Sequence, residues 1–295
     1  MLSLKEQQEV TRCLRHQSRM LSVYSYSALR LWQDFFSFDF RGFDGQPCLF
    51  AHSPIGVFQF WPPLSDRITP SALSSCFDYM ETVNGGAGIT RIEHVALSQV
   101  RWFQTDYNVR LKGCEYLYRS KDIAGLKGNR YKRQRAAYNQ FVKAYDFLYE
   151  SFDVCNGAAC LELYDQWMRG RQEKCSDDLY QQMLIDNRTV HKRLFNDFEQ
   201  LDLLGRLIKV DNEVVAFTFG YPVRSDMFCV FCEIADLRLA GVAIAVFRLF
   251  CQELMSLGYV WINVMDDIGL PNIKRTKESF FPAALIPSYN VTRKE

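Results

Sequence analysis

Long apolar runs are missing from this sequence of 295 residues. The N-terminal residues MLSLKEQQ contain no apolar core of the kind that a signal peptide requires. No segment reaches the roughly 18 consecutive apolar residues that indicate a transmembrane helix, and the best candidate, residues 242–250, contains Arg248. These absences predict a cytoplasmic protein without a membrane span.

A strong net charge is missing as well. The formal net charge is +1 at pH 7, and the sequence has no low-complexity tract. The charge of the whole chain therefore argues neither for nor against nucleic acid as a partner, and any electrostatic function must come from local patches. Apolar residues make up 48% and charged residues 23%, which is typical of a globular protein, here long enough for two domains or two halves.

Metal-binding patterns are also missing. Cys229 and Cys232 match C-x-x-C, but they lie in a predicted strand, where residues three apart point to opposite faces. The ten cysteines are expected to be reduced thiols. We predict no metal and no tightly bound cofactor, because the histidines form no pair with zinc-ligand spacing. These histidines are His16, His52, His94 and His191.

The second half of the sequence does contain a loop suited to anions. A predicted strand at 227–235 is followed by Arg238-Leu-Ala-Gly241-Val-Ala243, and a predicted helix begins at Gly241. The first N–H groups of a helix lack intrahelical partners and lie at the positive end of its dipole, so they bind phosphate or a developing anion. Arg238, Gly241, Val242 and Ala243 are therefore predicted to bind the donor in an acyl-transfer reaction.

The order of predicted elements in the second half is helix, helix, three antiparallel strands, helix, strand, helix and strand. This is the order of the GNAT acyltransferase fold. The predicted fold is α+β, a tandem pair of GNAT-like halves at 1–145 and 146–295, each with a mixed, mostly antiparallel sheet flanked by helices, and with the active cleft in the second half. The predicted helices are 158–169, 177–203, 241–257 and 272–279, and the predicted strands are 206–210, 214–221, 227–235, 259–264 and 284–291.

The first half has fewer clear elements. A helix is predicted at 71–83, with Ser71 as its N-cap and Asn-Gly-Gly at its end. Strands are predicted at 48–52, 56–61 and 115–119.

A basic helix is predicted at 128–145. Tyr131, Tyr138, Val142 and Tyr145 recur at helical spacing and are expected to share one face. Its cations either form a solvated face that links the halves or, with tyrosines between them, hold a tRNA or another polyphosphate. The residues predicted to contact nucleic acid or phosphate are Lys127, Arg130, Lys132, Arg133 and Arg135.

Several motifs occur together along the chain, and the last third holds the most specific of them. They are LKGNRYKRQR at 126–135, NQF at 139–141, VVAFTFG at 214–220, EIAD at 233–236 with Gly241, NVMDDIGL at 263–270, KESFFP at 277–282, and Tyr289.

On these motifs the chain resembles the C-terminal catalytic domain of bacterial phosphatidylglycerol lysyltransferases, and more closely the soluble stand-alone relatives without a membrane part. The resemblance spans roughly residues 20–293. It implies a tandem pair of GNAT-like halves and, for the membrane enzymes, transfer of an aminoacyl group from a charged tRNA to a lipid hydroxyl. The chain departs from the family at Ala136, where Asn is usual, at Met265, where an acid is usual, and at 272–274, where Gly-Leu-Arg is common.

Polar residues beside the proposed cleft are the candidates for catalysis. Glu233, on a predicted strand, is a candidate general base. Asn263 either presents its amide to the cleft or is a buried, hydrogen-bonded residue. Asp266 and Asp267 either orient a nucleophilic amine or hydroxyl, or bind a cationic aminoacyl group, while Asp267 alternatively caps its loop. Lys277 either contributes to donor binding or pairs with one of these aspartates.

Two hypotheses of different classes follow. In the first, the protein transfers an acyl or aminoacyl group from aminoacyl-tRNA or acyl-CoA to an amine or hydroxyl, on a small molecule or a lipid headgroup. This requires the strands 227–235 and 259–264 to diverge, and pairing along their whole length would exclude it. In the second, the chain is a catalytically silent module that binds RNA or another phosphate-rich partner, as the changes at Ala136 and Met265 suggest. The oligomeric state is left open.

A side chain at Gly241 is expected to block the donor at little expense in stability. The backbone there must approach the donor closely, and a residue at the start of a helix tolerates substitution better than one in mid-core. Replacement of Arg238 by Ala is expected to weaken donor binding.

Overall fold

The computed structural model describes residues 2, 4–15, 20–86, 88–103 and 106–294. Within this range no helix is long and apolar enough to cross a membrane. The chain forms two compact units. The first comprises Met1–Tyr116, Met265–Lys274 and Leu285–Glu295, and the second comprises Leu117–Val264 and Arg275–Ala284.

The units are not the same sets of residues as the predicted halves 1–145 and 146–295, because residue 145 lies inside the second unit. The division into two tandem halves at that residue stays a prediction. The predicted cleft elements from 227 to 264 all belong to the second unit.

The first unit contains a mixed sheet with the strand order β1-β2-β3-β4-β11-β5. Strands β1, β2 and β3 are antiparallel neighbours, whereas β3 runs parallel to β4. Helix α3 packs on this sheet through a core that includes Phe50, Phe77 and Met80. The elements are α1 (Leu4–Arg15), α2 (Tyr26–Leu31), β1 (Ser37–Phe43), β2 (Gln46–Ser53), β3 (Gly56–Gln59), α3 (Pro70–Asn84) and β4 (Ile92–Ala96), with β5 (Tyr107–Arg119) and β11 (Ala284–Arg293) each beginning in one unit and ending in the other.

The second unit contains a sheet with the order β5-β10-β9-β8-β7-β6. Strands β6 to β9 form antiparallel pairs, and β10 is parallel to β9. The remaining elements are α4 (Ser120–Gly125), α5 (Lys132–Ala144), β6 (Phe147–Ser151), α6 (Gly157–Gln172), α7 (Asp178–Asn196), β7 (Leu204–Val210), β8 (Glu213–Arg224), β9 (Met227–Ala235), α8 (Val242–Ser256), β10 (Trp261–Asn263) and α9 (Pro271–Glu278), the last of which spans both units.

Helices cover both faces of this second sheet. Ala216 of β8 packs with Val242 in a cluster that also contains residues of α5 and α8. The next residue, Phe217, contacts His191 and Phe195 of α7 instead. Because successive strand residues point to opposite faces, α8 and α7 lie on opposite sides of β8.

The structure corrects three details of the predicted elements. The N-cap of α3 is Thr69, whose hydroxyl accepts from the N–H of Ala72, because Pro70 occupies the first helical position. The predicted helix 177–203 ends at Asn196, and a short 3-10 turn follows at Phe198–Gln200. The predicted strand 259–264 is regular only at Trp261–Asn263.

The residues predicted to share one face of α5 differ in their burial. Val142 is 43% exposed, whereas Gln134 and Phe141 are buried, together with Tyr131 in the preceding turn. Residues 131, 134, 138, 141 and 145 recur every three or four positions, which keeps that set on one face of a helix.

Candidate active site

The strands β9 and β10 separate at the point where the active cleft was predicted. They pair at three positions only, the last of which joins Asn263 to Cys229. Strand β9 continues to Ala235, and no other described strand pairs with it on that side. The full-length pairing that would exclude the acyltransferase hypothesis is therefore not observed. The edge of β9 from Val230 onward offers backbone groups with which an extended ligand can pair.

Glu233 lies on this unpaired stretch of β9. Its side chain is half-buried, and its Oε2 is buried without a hydrogen-bond partner in the described part of the chain. Burial raises the pKa of Glu233 to about 8. Thr218, directly opposite on β8, is fully buried, and its Oγ1 likewise has no partner among the described residues. A carboxyl that exchanges its proton near neutral pH is suited to act as a general base.

The end of β10 is held in place by the following helix. Asn263 is fully buried there. The Nζ of Lys277 donates to the carbonyl of Val264 at 2.6 Å, and the hydroxyl of Tyr118 donates to the carbonyl of Lys277 at 2.7 Å. Lys277 thus fixes the backbone where β10 leaves β9, and its role in donor binding stays a prediction.

The loop between β9 and α8 is closed by its own hydrogen bonds. The guanidinium of Arg238 donates to the carboxylate of Asp236 through Nε and Nη2, at 2.6–3.0 Å, and holds the pKa of Asp236 below its usual value. The side chain of Arg238 remains 79% exposed. The N–H of Val242 donates to the carbonyl of Leu239 at 3.3 Å, and its side chain is buried in the core. Arg238 thus presents an oriented cation, while Val242 faces the interior.

Gly241 is held tightly against α5. Its φ of +88° is a left-handed conformation, and a Cβ placed on it would lie 2.1 Å from the carbonyl oxygen of Ala137. The expectation that a side chain at Gly241 costs little stability is therefore wrong. The close approach that requires glycine is made by the protein itself, in the packing of α5 against α8.

Two cavities lie beside this loop, and both belong to the second unit. One, of about 390 Å³, is lined by Gly241 and Ala243 together with Arg133, Gln134 and Arg275. The other, of about 660 Å³, lies between the loop and the end of α6. Cavities of this size accommodate a small ligand or part of a larger one.

The basic residues of α5 and the preceding turn divide into two groups. Lys127, Arg130, Lys132 and Arg133 are exposed, and Arg130 pairs with Asp122 at 3.3 Å. Arg135 instead donates to the backbone carbonyls of Leu126 and Gly128 and so stabilises the preceding turn.

The tyrosines of this segment do not offer free rings for stacking. Tyr131 is buried, with its hydroxyl donating to the carbonyl of Phe280 at 3.1 Å. The ring of Tyr138 is covered by the guanidinium of Arg248 at 4.1 Å. Any contact with a polyphosphate would therefore rest on the cations.

Asp266 and Asp267 belong to the first unit. The two carboxylate oxygens of Asp267 accept from the Tyr116 hydroxyl at 2.6 Å and from the N–H of Gly269 at 3.0 Å. This is the loop-capping arrangement that the sequence left open as an alternative for Asp267. Ile268 has a φ of +48°, which is unusual for a β-branched residue, so the loop is strained.

Two residues near the candidate active site, one in the smaller cavity and one opposite Glu233, were not predicted from sequence. Gln134 lines the smaller cavity although it is only 7% exposed, and its Nε2 donates to the carbonyl of Ser279 at 2.5 Å. Thr218 lies opposite Glu233. A signal existed for Gln134, because a polar residue at a buried position of a helical repeat is unusual.

No group of His, Cys, Asp and Glu side chains in the described ranges is arranged to hold a metal ion. His16, one of the histidines considered above, lies outside the described residues. No disulfide bond joins any of the cysteines in the described ranges.

Comparisons with known proteins give a family and a fold. The family model for the C-terminal part of phosphatidylglycerol lysyltransferase matches residues 18–292. A conserved protein of unknown function from Bacteroides thetaiotaomicron has a similar solved structure, with a TM-score of 0.87 at 20% identity, over 99% of this chain and 98% of that one. L-PGS from Bacillus licheniformis gives 0.66 at 17% identity, over 98% and 92% of the two chains.

A tandem GNAT protein from the clavulanic acid biosynthesis pathway gives a TM-score of 0.54 at 5% identity, over 99% of this chain and 96% of that one. No curated protein has a sequence that matches this chain. The predicted α+β class and the tandem GNAT-like fold are confirmed by these structures. At such low identities the solved structures establish the fold alone.

Proposed function

We propose, from the premise that this chain belongs to the phosphatidylglycerol lysyltransferase C-terminal family, that it moves an aminoacyl or acyl group from an activated donor to an amine or hydroxyl. A transferase of this general kind accords with the family and the GNAT-like fold. The observation that carries the proposal is the separation of β9 and β10 after Cys229 and Asn263, with Glu233 on the stretch of β9 that is left unpaired.

In the proposed reaction, the acceptor oxygen or nitrogen attacks the carbonyl carbon of the donor. A new ester or amide bond forms, and the bond from the carbonyl carbon to the leaving oxygen or sulfur breaks. The ionised Glu233 takes the proton that the acceptor loses and gives it to the leaving group, so the carboxylate is regenerated. The unpaired backbone of β9 holds the donor in an extended conformation, which places its carbonyl near the acceptor.

Aminoacyl-tRNA and acyl-CoA are both proposed as donors, with a cytoplasmic location and a small molecule or a lipid headgroup as acceptor. A two-arm transfer assay tests this. One arm contains a mixture of aminoacyl-tRNAs and the other a mixture of acyl-CoAs, each with phosphatidylglycerol vesicles or a mixture of amines as acceptors. In one of the two arms we expect the native protein to consume the donor, seen as loss of the ester of aminoacyl-tRNA or of the thioester of acyl-CoA. Glu233→Gln should not consume the donor in either arm. Equal rates for both proteins in both arms would contradict the proposal.

Replacement of Arg238 by Ala is expected to weaken donor binding by about tenfold, because the guanidinium supplies a charge-assisted hydrogen bond to an anionic group. The melting temperature should fall only slightly, because the ion pair with Asp236 is lost but the side chain of Arg238 is 79% exposed. Arg224→Ala is a matched control, since Arg224 also pairs with an aspartate two residues away, at 2.9 Å, on the turn before β9. Equal donor affinity in the two variants would remove Arg238 from the donor site.

The second candidate, a binding module without catalysis, is favoured by the exposed cations Lys127, Lys132 and Arg133. This candidate predicts tRNA binding that falls steeply with salt, with no turnover of any charged tRNA or acyl-CoA. Titration of uncharged tRNA at several salt concentrations, run beside the transfer assay, separates the two candidates.

A further inference from the structure

The larger cavity beside the β9–α8 loop has a wall of cations. Arg169, Arg171 and Lys174, from the end of α6 and just after it, line one side, and Asp236 and Arg238 line the other. Its volume is about 660 Å³. All of the lining residues belong to the second unit.

The charges of this wall are not balanced within the cavity. Asp236 already accepts from Arg238, so this pair is close to neutral. Among the described residues, Arg169, Arg171 and Lys174 form no ion pair, and the only other acid in the lining is Glu173. The cations could also be explained by the negative end of the dipole of α6, which attracts positive charge. That explanation accounts for neither the cavity nor the aromatic side chain in its lining. An excess of positive charge in a concave site favours an anionic ligand.

The same cavity contains a planar aromatic surface. Trp167 lines it, and the guanidinium carbon of Arg171 lies over the indole ring at 5.1 Å from the ring centroid. Stacking on Trp167 orients Arg171, which would otherwise be a mobile side chain. An indole and a guanidinium together form the kind of flat surface on which nucleic acid bases stack.

We infer that this cavity binds a nucleotide, with an aromatic base against Trp167 and Arg171 and with its phosphates against Arg169 and Lys174. The inference deepens the proposed function and rests on it for its role: the ligand is the nucleotide end of the activated donor, whose acyl end reaches Glu233 along β9. Arg238 lies between the two, since its loop lines the cavity and follows directly on β9. Acyl-CoA and the 3′ end of tRNA share an adenosine 5′-phosphate, which is part of an ADP group in acyl-CoA and is joined through a phosphodiester in tRNA, and ADP is used here as a probe that contains this shared group.

Calorimetric titrations with ADP, adenosine and inorganic pyrophosphate test the site in the native protein. We expect ADP to bind more tightly than either fragment. Trp167→Leu should lower the affinity for ADP and for adenosine by roughly tenfold, because a stacked base contributes about that much. The affinity for pyrophosphate should stay unchanged. Lys174→Ala should lower the affinity for ADP and for pyrophosphate alike, since it removes a contact with phosphate.

Arg171→Ala has a matched control in Arg119→Ala. Arg119 is exposed and lies over Trp261 at 4.4 Å, so both variants remove a guanidinium from a tryptophan ring. We expect ADP affinity to fall in Arg171→Ala and to stay unchanged in Arg119→Ala. Equal affinities in the two variants, an ADP affinity that Trp167→Leu leaves unchanged, or no saturable binding of ADP would each overturn the inference. Because neither Arg171 nor Lys174 forms an ion pair in the described ranges, their variants remain informative even if Trp167→Leu fails to fold.

Competition identifies the source of the nucleotide. Coenzyme A and uncharged tRNA are each titrated against bound ADP, and the one that displaces it in the native protein but less readily in Arg171→Ala is the donor type. Displacement by neither overturns the inference. The transfer assay distinguishes the two proposals. If transfer depends on Glu233 but the KM for the donor is the same in Arg171→Ala as in the native protein, then the cavity is not the nucleotide site and the proposed function stands. If ADP binds as expected and no transfer occurs, the nucleotide site stands and the proposed function fails.

Discussion

Replacing Glu233 by Gln is expected to lower the rate of transfer by about 10²–10⁴-fold, the range attributed to a general base. The amide keeps the shape of the side chain but cannot accept the acceptor's proton. In the native protein the rate should rise with pH until about pH 8, because burial raises the pKa of Glu233 to about 8 and only the ionised form is a base. A profile of kcat/KM against pH for both proteins measures both effects.

The same substitution should change how stability depends on pH. The folded-state pKa of Glu233, about 8, lies above the ordinary glutamate value of 4.5. Between these values Glu233 is ionised in the unfolded chain but protonated in the folded chain, so the free energy of unfolding falls as the pH rises. The contribution of Glu233 to stability is therefore fully present below about pH 4.5 and is lost as the pH rises through 8. Glu233→Gln should therefore melt higher than the native protein at pH 9, with the difference shrinking as the pH falls toward 5.

Glu213→Gln is the matched control, because Glu213 is exposed at the start of the neighbouring strand β8. Its melting temperature should follow the native protein across the pH range. If Glu233→Gln retains native transfer rates, another residue is the base. If its stability follows Glu213→Gln, then Glu233 is ionised in the folded protein at neutral pH.

Replacing Gly241 by Val is expected to destabilise the second unit by about 3 kcal/mol or more, or to prevent folding. The substitution forces a β-branched residue into a left-handed backbone conformation, at about 1–2 kcal/mol. It also drives a side chain into the carbonyl of Ala137, 2.1 Å from the new Cβ, and overpacking of this kind typically costs about 1–3 kcal/mol. Urea denaturation of the purified variant measures the loss.

Gly258 provides the control at the other end of the same helix. Its φ is +94°, close to that of Gly241, but no atom of the described residues lies within 4 Å of an added Cβ. Gly258→Val should therefore show the backbone strain alone, about 1–2 kcal/mol. Equal losses at the two glycines would mean that α5 moves away from α8 without difficulty. Donor affinity can be interpreted for Gly241→Val only if the variant folds.

The elements of the second unit could be predicted from sequence because they depend on local periodicity. The strands at 206–210, 214–221 and 227–235 and the helix at 241–257 all occur, with ends that differ by three residues or fewer. Alternation in strands and helical repeats in helices report which face is buried, and glycines mark the ends. The motif at Arg238–Ala243 fixed the position of the loop in the same way.

Sequence alone did not determine the structure where a local pattern was compatible with two arrangements. Ser71 and Thr69 are both good N-caps, and Pro70 decided between them by its preference for the first helical turn. In α5, Val142 fits a helical repeat as well as Phe141 does, and packing against α8 decided which of them is buried.

The chemistry of the site was decided by tertiary structure. The sequence predicted Glu233 as a candidate base, but its raised pKa comes from burial, which exists only in the folded structure. Asp267 accepts from Tyr116, 151 residues away, and the glycine requirement at Gly241 comes from Ala137. The cavity lined by Trp167 and Arg238 joins segments that no motif connects.

The sequence by itself determined the class of fold, the family and the position of the candidate loop. These follow from residue order and from short-range conformational preferences, which do not depend on what packs alongside. Only the tertiary structure decided that β9 and β10 part at Asn263, that Gly241 serves packing, and that the cations of α6 face the loop. Burial, electrostatic environment and cavity shape arise from contacts between distant segments, and no single stretch of sequence encodes them.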